Sequence, residues 1–205
     1  MESRNVILLP SSEVKNQCIE LSQKIARLTG TTFILDGSMY HPHLTLYQIA
    51  FPPENLERVE LSVQKIAEKT KPFSIHLHRY SSMMGFIFLE ATLDDTLMRL
   101  HSEIVTAVNP LRDGIILPSE LGRLGDPLVP ETIKKSIQTY GAALAMEAFL
   151  PHITLAKLED PTTSEKILHE LDQIDMKFEV KEIAVANIGL DGTVNTVYKT
   201  VQLEM

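Results

Sequence analysis

The chain has 205 residues, 44% hydrophobic and 22% charged, with 19 Lys and Arg against 27 Asp and Glu for a net charge of −8. That is enough chain for one domain of two closely packed lobes, and the composition excludes a disordered tail, a collagen-like chain and a coiled coil. The acidic balance argues against a groove that tracks duplex DNA, which needs a basic stripe, and no apolar run approaches the ~20 residues that span a bilayer.

Met1 to Asn5 show no signal-peptide cleavage pattern. The single cysteine, Cys18, cannot close an internal disulfide and fits a reducing compartment, so a cytoplasmic location is expected. Asn5 to Leu9 read as a buried strand stopped by Pro10. Ser11 and Ser12 can cap a helix whose stripe is Val14, Cys18, Leu21, Ile25 and Leu28. Cys18 on that stripe is a small buried hydrophobe. His43 to Ile49 form a strand, and Leu56, Val59, Val63, Ile66 and Ala67 mark a second helix. Phe73, Ile75 and Leu77 alternate with Ser74, His76 and His78 in a half-buried strand, with Gly85 to Ala91 as its hairpin partner. A third helix carries Leu93, Leu97, Leu100, Ile104, Val105 and Val108, with His101 a structural residue at its edge.

Residues 109–130 are rich in Pro and Gly and read as a long loop, in which Arg112 and Arg123 are either solvated or hold a phosphate. A short helix from about Glu131 to Tyr140 follows, then a strand from Phe149 to Ala156. Thr162 and Glu165 form a capping box for a last helix through Ile174, with His169 on its surface. Two strands, about 177–188 and 195–204, are joined by a turn at Asp191-Gly192. The order strand, helix, two strands occurs from residue 42 to 91 and again from 151 to 204, which predicts two pseudo-symmetric lobes.

Each repeat opens on the same words. Pro42-His43-Leu44-Thr45-Leu46 is answered by Pro151-His152-Ile153-Thr154-Leu155. Random placement of the chain's 7 His, 16 Thr and 27 Leu gives about 0.07 expected cases of His-x-Thr-Leu, so two at matching places are a strong signal. In a strand, residues i and i+2 share a face. His43 with Thr45, and His152 with Thr154, therefore line a groove while Leu44, Leu46, Ile153 and Leu155 face the core. A pseudo-twofold axis would bring two imidazoles and two hydroxyls to one point. One imidazole can act as base and the other as acid near neutral pH, and the hydroxyls can donate to phosphate oxygens. Lys157 adds a positive charge where Gln48 stands in the first half. A cation near His152 disfavours its imidazolium, which makes His152 the base and His43 the acid.

The paired Pro-His-x-Thr-Leu strands, their separation and the strand–helix order resemble the two-histidine (2H) phosphoesterase superfamily, and in particular its bacterial branch of 2′-5′ RNA ligases and RNA 2′,3′-cyclic phosphodiesterases. The resemblance spans nearly the whole chain, from Val6-Ile7-Leu8-Leu9-Pro10 onward. It implies a bilobal α+β fold with two antiparallel sheets facing a central cleft and helices outside. It also implies metal- and cofactor-independent cleavage of a 2′,3′-cyclic phosphate or a 2′-5′ linkage in a nucleotide or RNA end, with His43, Thr45, His152 and Thr154 as catalytic residues. Phe88 and Tyr198 fall where family members carry cleft aromatics and, with Lys157, His76 and His78, are the expected substrate contacts. A monomer is expected. Two rivals stand beside this reading: a non-catalytic nucleotide or RNA-end binder on the same fold, and a metal site built on His41-Pro42-His43 and His76-Leu77-His78.

Overall fold

The structure, a computed structural model, describes residues 1–204. Strand β1 (Glu2–Leu8) leads to helix α1 (Ser12–Leu28), whose first turn is capped by Ser11 Oγ accepting the Val14 N–H at 3.4 Å. Then come β2 (Leu44–Phe51), α2 (Leu56–Ala67) and the hairpin of β3 (Phe73–Met83) and β4 (Phe86–Ala91). Its two turn residues, Met84 and Gly85, have φ of 54° and 81°, the left-handed pair that a tight two-residue hairpin turn requires. The chain continues through α3 (Asp95–Val108), α4 (Pro118–Leu124), α5 (Glu131–Tyr140), β5 (His152–Lys157) and α6 (Ser164–His169). It ends with β6 (Met176–Val180), β7 (Glu182–Ala186) and β8 (Val197–Gln202). No helix among the described residues is long and apolar enough to cross a membrane.

The fold is α+β. Its strands make one curled antiparallel sheet in the order β6-β3-β4-β5-β2-β1-β7-β8. The two halves meet only at the pair Leu44 and Ile153, so the expected two sheets are one sheet joined at its narrowest point. Helices α1, α2, α3 and α6 pack on one face and share a single core with Leu44, Leu46, Ile153 and Leu155. Burying each such Leu or Ile contributes roughly 1.5–3 kcal/mol. The other face is the concave one.

The symmetry has a different phase from the sequence repeat. The strands that follow β2, β3 and β4, lie beside β5 in the opposite half. Sheet order instead matches β1-α1-β2-α2 with β4-α3-β5-α6, and each first helix packs beneath the other unit's motif strand: α1 on β5, α3 on β2. The helix–strand contacts that decide this are long-range and leave no trace in hydrophobic period.

Three local expectations change. The 109–130 segment is not a bare loop, because Asn109–Arg112 form a 3-10 turn and α4 follows. The last helix stops at His169, and Asp160 rather than Thr162 caps the turn before it. The stretch expected to be one strand from 177 to 188 breaks at Lys181 into β6 and β7, which pair with β3 and β1 in different halves. The link from β7 to β8 carries the expected turn at Asp191-Gly192 within a strap, residues 187–196, tied by Asn187 Oδ1 to the Asn195 and Thr196 N–H groups and by the Val194 carbonyl to the His41 N–H.

Candidate active site

Pro42 and Pro151 determine how the two histidines sit. Proline fixes its own φ and holds the preceding residue extended. In both motifs the carbonyl two residues before the histidine then reaches its ring. His43 Nδ1 donates to the His41 carbonyl at 2.8 Å, and His152 Nδ1 donates to the Leu150 carbonyl at 2.7 Å. A carbonyl only accepts, so Nδ1 carries the hydrogen and each neutral ring keeps its lone pair on Nε2. Both rings are therefore set in the same tautomer by the same device.

The antiparallel pair Leu44–Ile153 brings the motifs face to face. Its register sets His43 opposite Thr154 and Thr45 opposite His152. His43, Thr154 and the strap residues Asp191, Gly192 and Thr193 line one small recess with Phe33, Leu35 and His41. His43 is only 9% exposed beneath this roof. Burial lowers its pKa, with the His41 carbonyl opposing. Burial likewise pushes His152 down to about 4, opposed by the Leu150 carbonyl and, more weakly, by Glu90, while the His43 charge adds to the lowering. Both rings are thus neutral in the free protein at neutral pH, and an anion arriving between them favours protonation of either.

Each motif strand carries a bulge at the same place. In the first half the register steps between the pairs Thr45–Ile7 and Tyr47–Val6, leaving Leu46 extra. In the second it steps between Thr154–Phe88 and Ala156–Ile87, leaving Leu155 extra. Strict alternation would turn Lys157 away from Thr154, three residues earlier. The bulge returns it to the cleft face opposite Phe86, and does the same for Gln48 opposite Asn5. The first bulge is clamped by His101, which is fully buried: its Nδ1 donates to the Leu46 carbonyl at 2.7 Å and its Nε2 accepts the Met146 N–H at 2.8 Å.

The expected substrate contacts are spread unevenly. Phe88 lies against His152, ring centroids 3.9 Å apart, and Phe86 stacks beside Phe88 at 5.9 Å. Lys157 lies over Phe86 but is bound to Asp191 of the strap at 2.6 Å. Tyr198 is on β8, three strands from β2, with the Arg4 guanidinium 4.4 Å over its ring. His76 and His78 are on β3, two strands from β5, held by Asp175 at 2.7 Å and by Thr92 at 3.3 Å. Among the described residues no group of three His, Cys, Asp or Glu could hold a metal ion.

Both loop arginines are already partnered within the protein. Arg112 is buried and bonds Asn109 Oδ1 and the carbonyls of Ile115 and Thr139, while Arg123 pairs with the buried Glu120 at 2.8 Å. Cys18 is fully buried and its thiol is pushed up to about 12, so it packs rather than reacts.

Three residues at the site escaped the sequence reading. Asn5 is fully buried and donates Nδ2–H to Thr45 Oγ1 at 3.2 Å, which leaves the Thr45 hydroxyl hydrogen free to point elsewhere. Asp191 holds Lys157. Glu90, opposite His152, is a buried carboxylate in an otherwise apolar strand. A polar side chain inside such runs as Asn5-Val6-Ile7-Leu8-Leu9 and Phe86-Ile87-Phe88-Leu89-Glu90 was the available signal.

The fold agrees with comparisons to known proteins. The family model for the 2′-5′ RNA ligase superfamily matches residues 19–192, and the chain belongs to that superfamily of phosphoesterases. A search of curated protein sequences found no match. Among solved structures, a protein of Thermus thermophilus is 19% identical with a TM-score of 0.61, covering 98% of this chain and 97% of its own. Escherichia coli LigT complexed with 3′-AMP is 14% identical with a TM-score of 0.62, covering 100% of this chain and 98% of its own. The MHV ns2 PDE domain is 13% identical with a TM-score of 0.51, each chain covered to 99%. At these identities the likeness concerns the fold.

Proposed function

We propose that the protein is a metal-independent phosphodiesterase that cleaves a 2′,3′-cyclic phosphate or a 2′-5′ phosphodiester of a nucleotide or RNA end. The observation that carries this reading is the antiparallel crossing of the two motifs at Leu44–Ile153, which supplies two imidazoles in one tautomer and two hydroxyls around one point. A phosphodiester seated there places its negative charge between rings that burial otherwise keeps neutral. One ring then holds a proton for the leaving ribose oxygen, while the other takes a proton from the attacking water through its Nε2 lone pair. Thr45 and Thr154 donate to the non-bridging oxygens, and the Phe86–Phe88 pair offers a base a stacking face. A nucleotide fits the relatives, since LigT structures include complexes with ATP and 3′-AMP.

A binding module would need no pair of matched proton-transfer groups, and that favours the enzyme. The test is a product-resolved assay on 2′,3′-cyclic nucleotides, 2′-5′ oligoadenylate and ADP-ribose cyclic phosphate after exhaustive EDTA treatment. Turnover that is abolished in His43→Ala supports the reading. Binding without turnover in the wild type would move the protein to the non-catalytic class, and turnover that EDTA removes and Zn²⁺ or Mn²⁺ restores would overturn the metal-independent mechanism.

A further inference from the structure

The two halves of the site share one register, and among their differences is the residue beside each histidine. In the second half, Phe88 pairs with Thr154, Leu89 with Ile153 and Glu90 with His152. In the first half, Ile7 pairs with Thr45 and Leu8 with Leu44, where the pairing ends, and the next residue along the chain is Leu9. His152 therefore has a carboxylate as its cross-strand neighbour, and the corresponding stretch of β1 offers His43 none. Residues directly opposite in antiparallel strands point to the same face, with Cβ atoms ~4.5–5.5 Å apart.

Glu90 is not a surface charge that happens to be near. Its side chain is 6% exposed, and Arg79, opposite it on β3, donates Nε–H to Glu90 Oε2 at 2.6 Å. The Arg79 side chain is 64% exposed, so water screens the guanidinium while the carboxylate acts through protein. The other ionisable group whose charge bears on His152 is His43, which directly precedes β2, and further along β5 stands Lys157, facing Asp191 of the strap. Lys157 and Asp191 are bound to each other and largely cancel. That removes the reason for keeping His152 neutral that the sequence offered.

We propose that Glu90, held by Arg79, is a positioning residue that keeps the transferable proton on His152, so that His152 is the acid and His43 the base. This rests on the phosphodiesterase reading and reverses the order expected from Lys157 alone. In hydrolysis of a 2′,3′-cyclic phosphate, His43 Nε2 takes a proton from water as the water oxygen bonds to phosphorus. The bond from phosphorus to one ribose oxygen breaks, and that oxygen takes the proton from His152. One water is consumed, and His43 passes its gained proton to solvent while His152 recovers one.

The test uses Glu90→Gln, which keeps the size and removes the charge, and Glu90→Asp, which keeps the charge. On a 2′,3′-cyclic nucleotide Glu90→Gln should lose at least ~10-fold in kcat/KM at neutral pH, and the alkaline limb of its pH profile should move down by about one unit. On a nitrophenyl phosphodiester, whose leaving group needs little acid help, the loss should be under about threefold. Glu90→Asp should restore most of the cyclic-nucleotide rate and the position of the limb. A carboxylate that only holds strands together would slow both substrates alike and leave the limb in place, and that result overturns the proposal. NMR titration of the His152 ring gives a readout independent of turnover: its midpoint should fall in Glu90→Gln, and an unmoved midpoint overturns the proposal whatever the rates. A wild type inactive on both substrates would instead sink the phosphodiesterase reading, and the proton-donor role with it, while the titration still decides whether Glu90 holds a proton on His152.

Discussion

Lys157 is bound by Asp191: its Nζ lies 2.6 Å from Asp191 Oδ1, and Thr32 Oγ1 donates to the other oxygen at 3.0 Å. The pair fastens the strap over the recess beside His43. Lys157 can meet a phosphate only when Asp191 gives it up, so the carboxylate competes with substrate for the same cation. Asp191 has φ of 55°, a conformation that Asn also tolerates, so Asp191→Asn removes the charge with the backbone kept. The expected result is a KM lower by about threefold to tenfold, a change of roughly 1 kcal/mol, the scale of a partly exposed ion pair. Lys157→Ala should raise KM. An Asp191→Asn protein with unchanged or higher KM would show that the strap is not a competitor.

His43→Ala and His152→Ala should each lower the chemical step by at least ~100-fold, since each removes a proton-transfer group. Both should fold, because each ring's Nδ1 bond is to a carbonyl only two residues away. Single-turnover rates, with far-ultraviolet circular dichroism as the control for folding, decide this. Near-wild-type turnover in either folded variant would remove the two-histidine mechanism.

The motif residues were legible because identical short words recurred in strands whose period-two pattern fixes the face of each side chain. That argument reached His43, Thr45, His152 and Thr154 and stopped there. It could not place Lys157, since a bulge at Leu155 is a register event between two strands and leaves no mark in one of them. It could not phase the symmetry, because the partner of β2 on the helical side is α3 and not the helix that follows it. The Pro-rich stretch after residue 108 read as loop because its helices are short and stabilised by tertiary bonds such as Arg112 to Thr139 and Glu120 to Gln48. Those contacts outweigh weak local propensity.

Thr45 and Thr154 are expected to act through their hydroxyl hydrogens. Losing one donor to a developing oxyanion costs up to ~2.7–4 kcal/mol in a closed site, and a cleft open to water should sit at or below that range. Asn5 adds a distinguishing test. Its Nδ2–H bonds Thr45 Oγ1 and so turns the hydroxyl hydrogen away from Asn5. Asn5→Ala should therefore slow kcat in the same direction as Thr45→Ala but by less, and the double variant should be no worse than Thr45→Ala alone. Additive losses in that cycle would mean that Asn5 acts elsewhere, and full activity in both Thr45→Ala and Thr154→Ala would mean that neither hydroxyl holds phosphate.

The clamp on the first bulge makes the fold sensitive to acid. His101 is fully buried, stacked on Phe149 at 3.7 Å, with Nδ1 donating to Leu46 and Nε2 accepting from Met146. Only the neutral ring can do both, and burial holds its pKa down at about 4 against an ordinary value of 6.5. Above pH 6.5 neither folded nor unfolded chain protonates this ring, and its full contribution is present. As pH falls from 6.5 toward 4 the unfolded chain gains a proton that the folded chain refuses, so stability is lost across that window, on the order of 3 kcal/mol from this residue. His101→Phe keeps the stack on Phe149 but leaves the Leu46 carbonyl and the Met146 N–H without a partner, at ~1–3 kcal/mol each. It should be clearly less stable than wild type at about pH 7.5, and the gap should narrow as pH falls to about 4.5, because the variant has no ring left to protonate. Urea unfolding of both proteins at several pH values measures this, and the carboxylates that titrate in both cancel in the difference. A gap that stays constant across that range would show that His101 is not the group whose protonation weakens the fold.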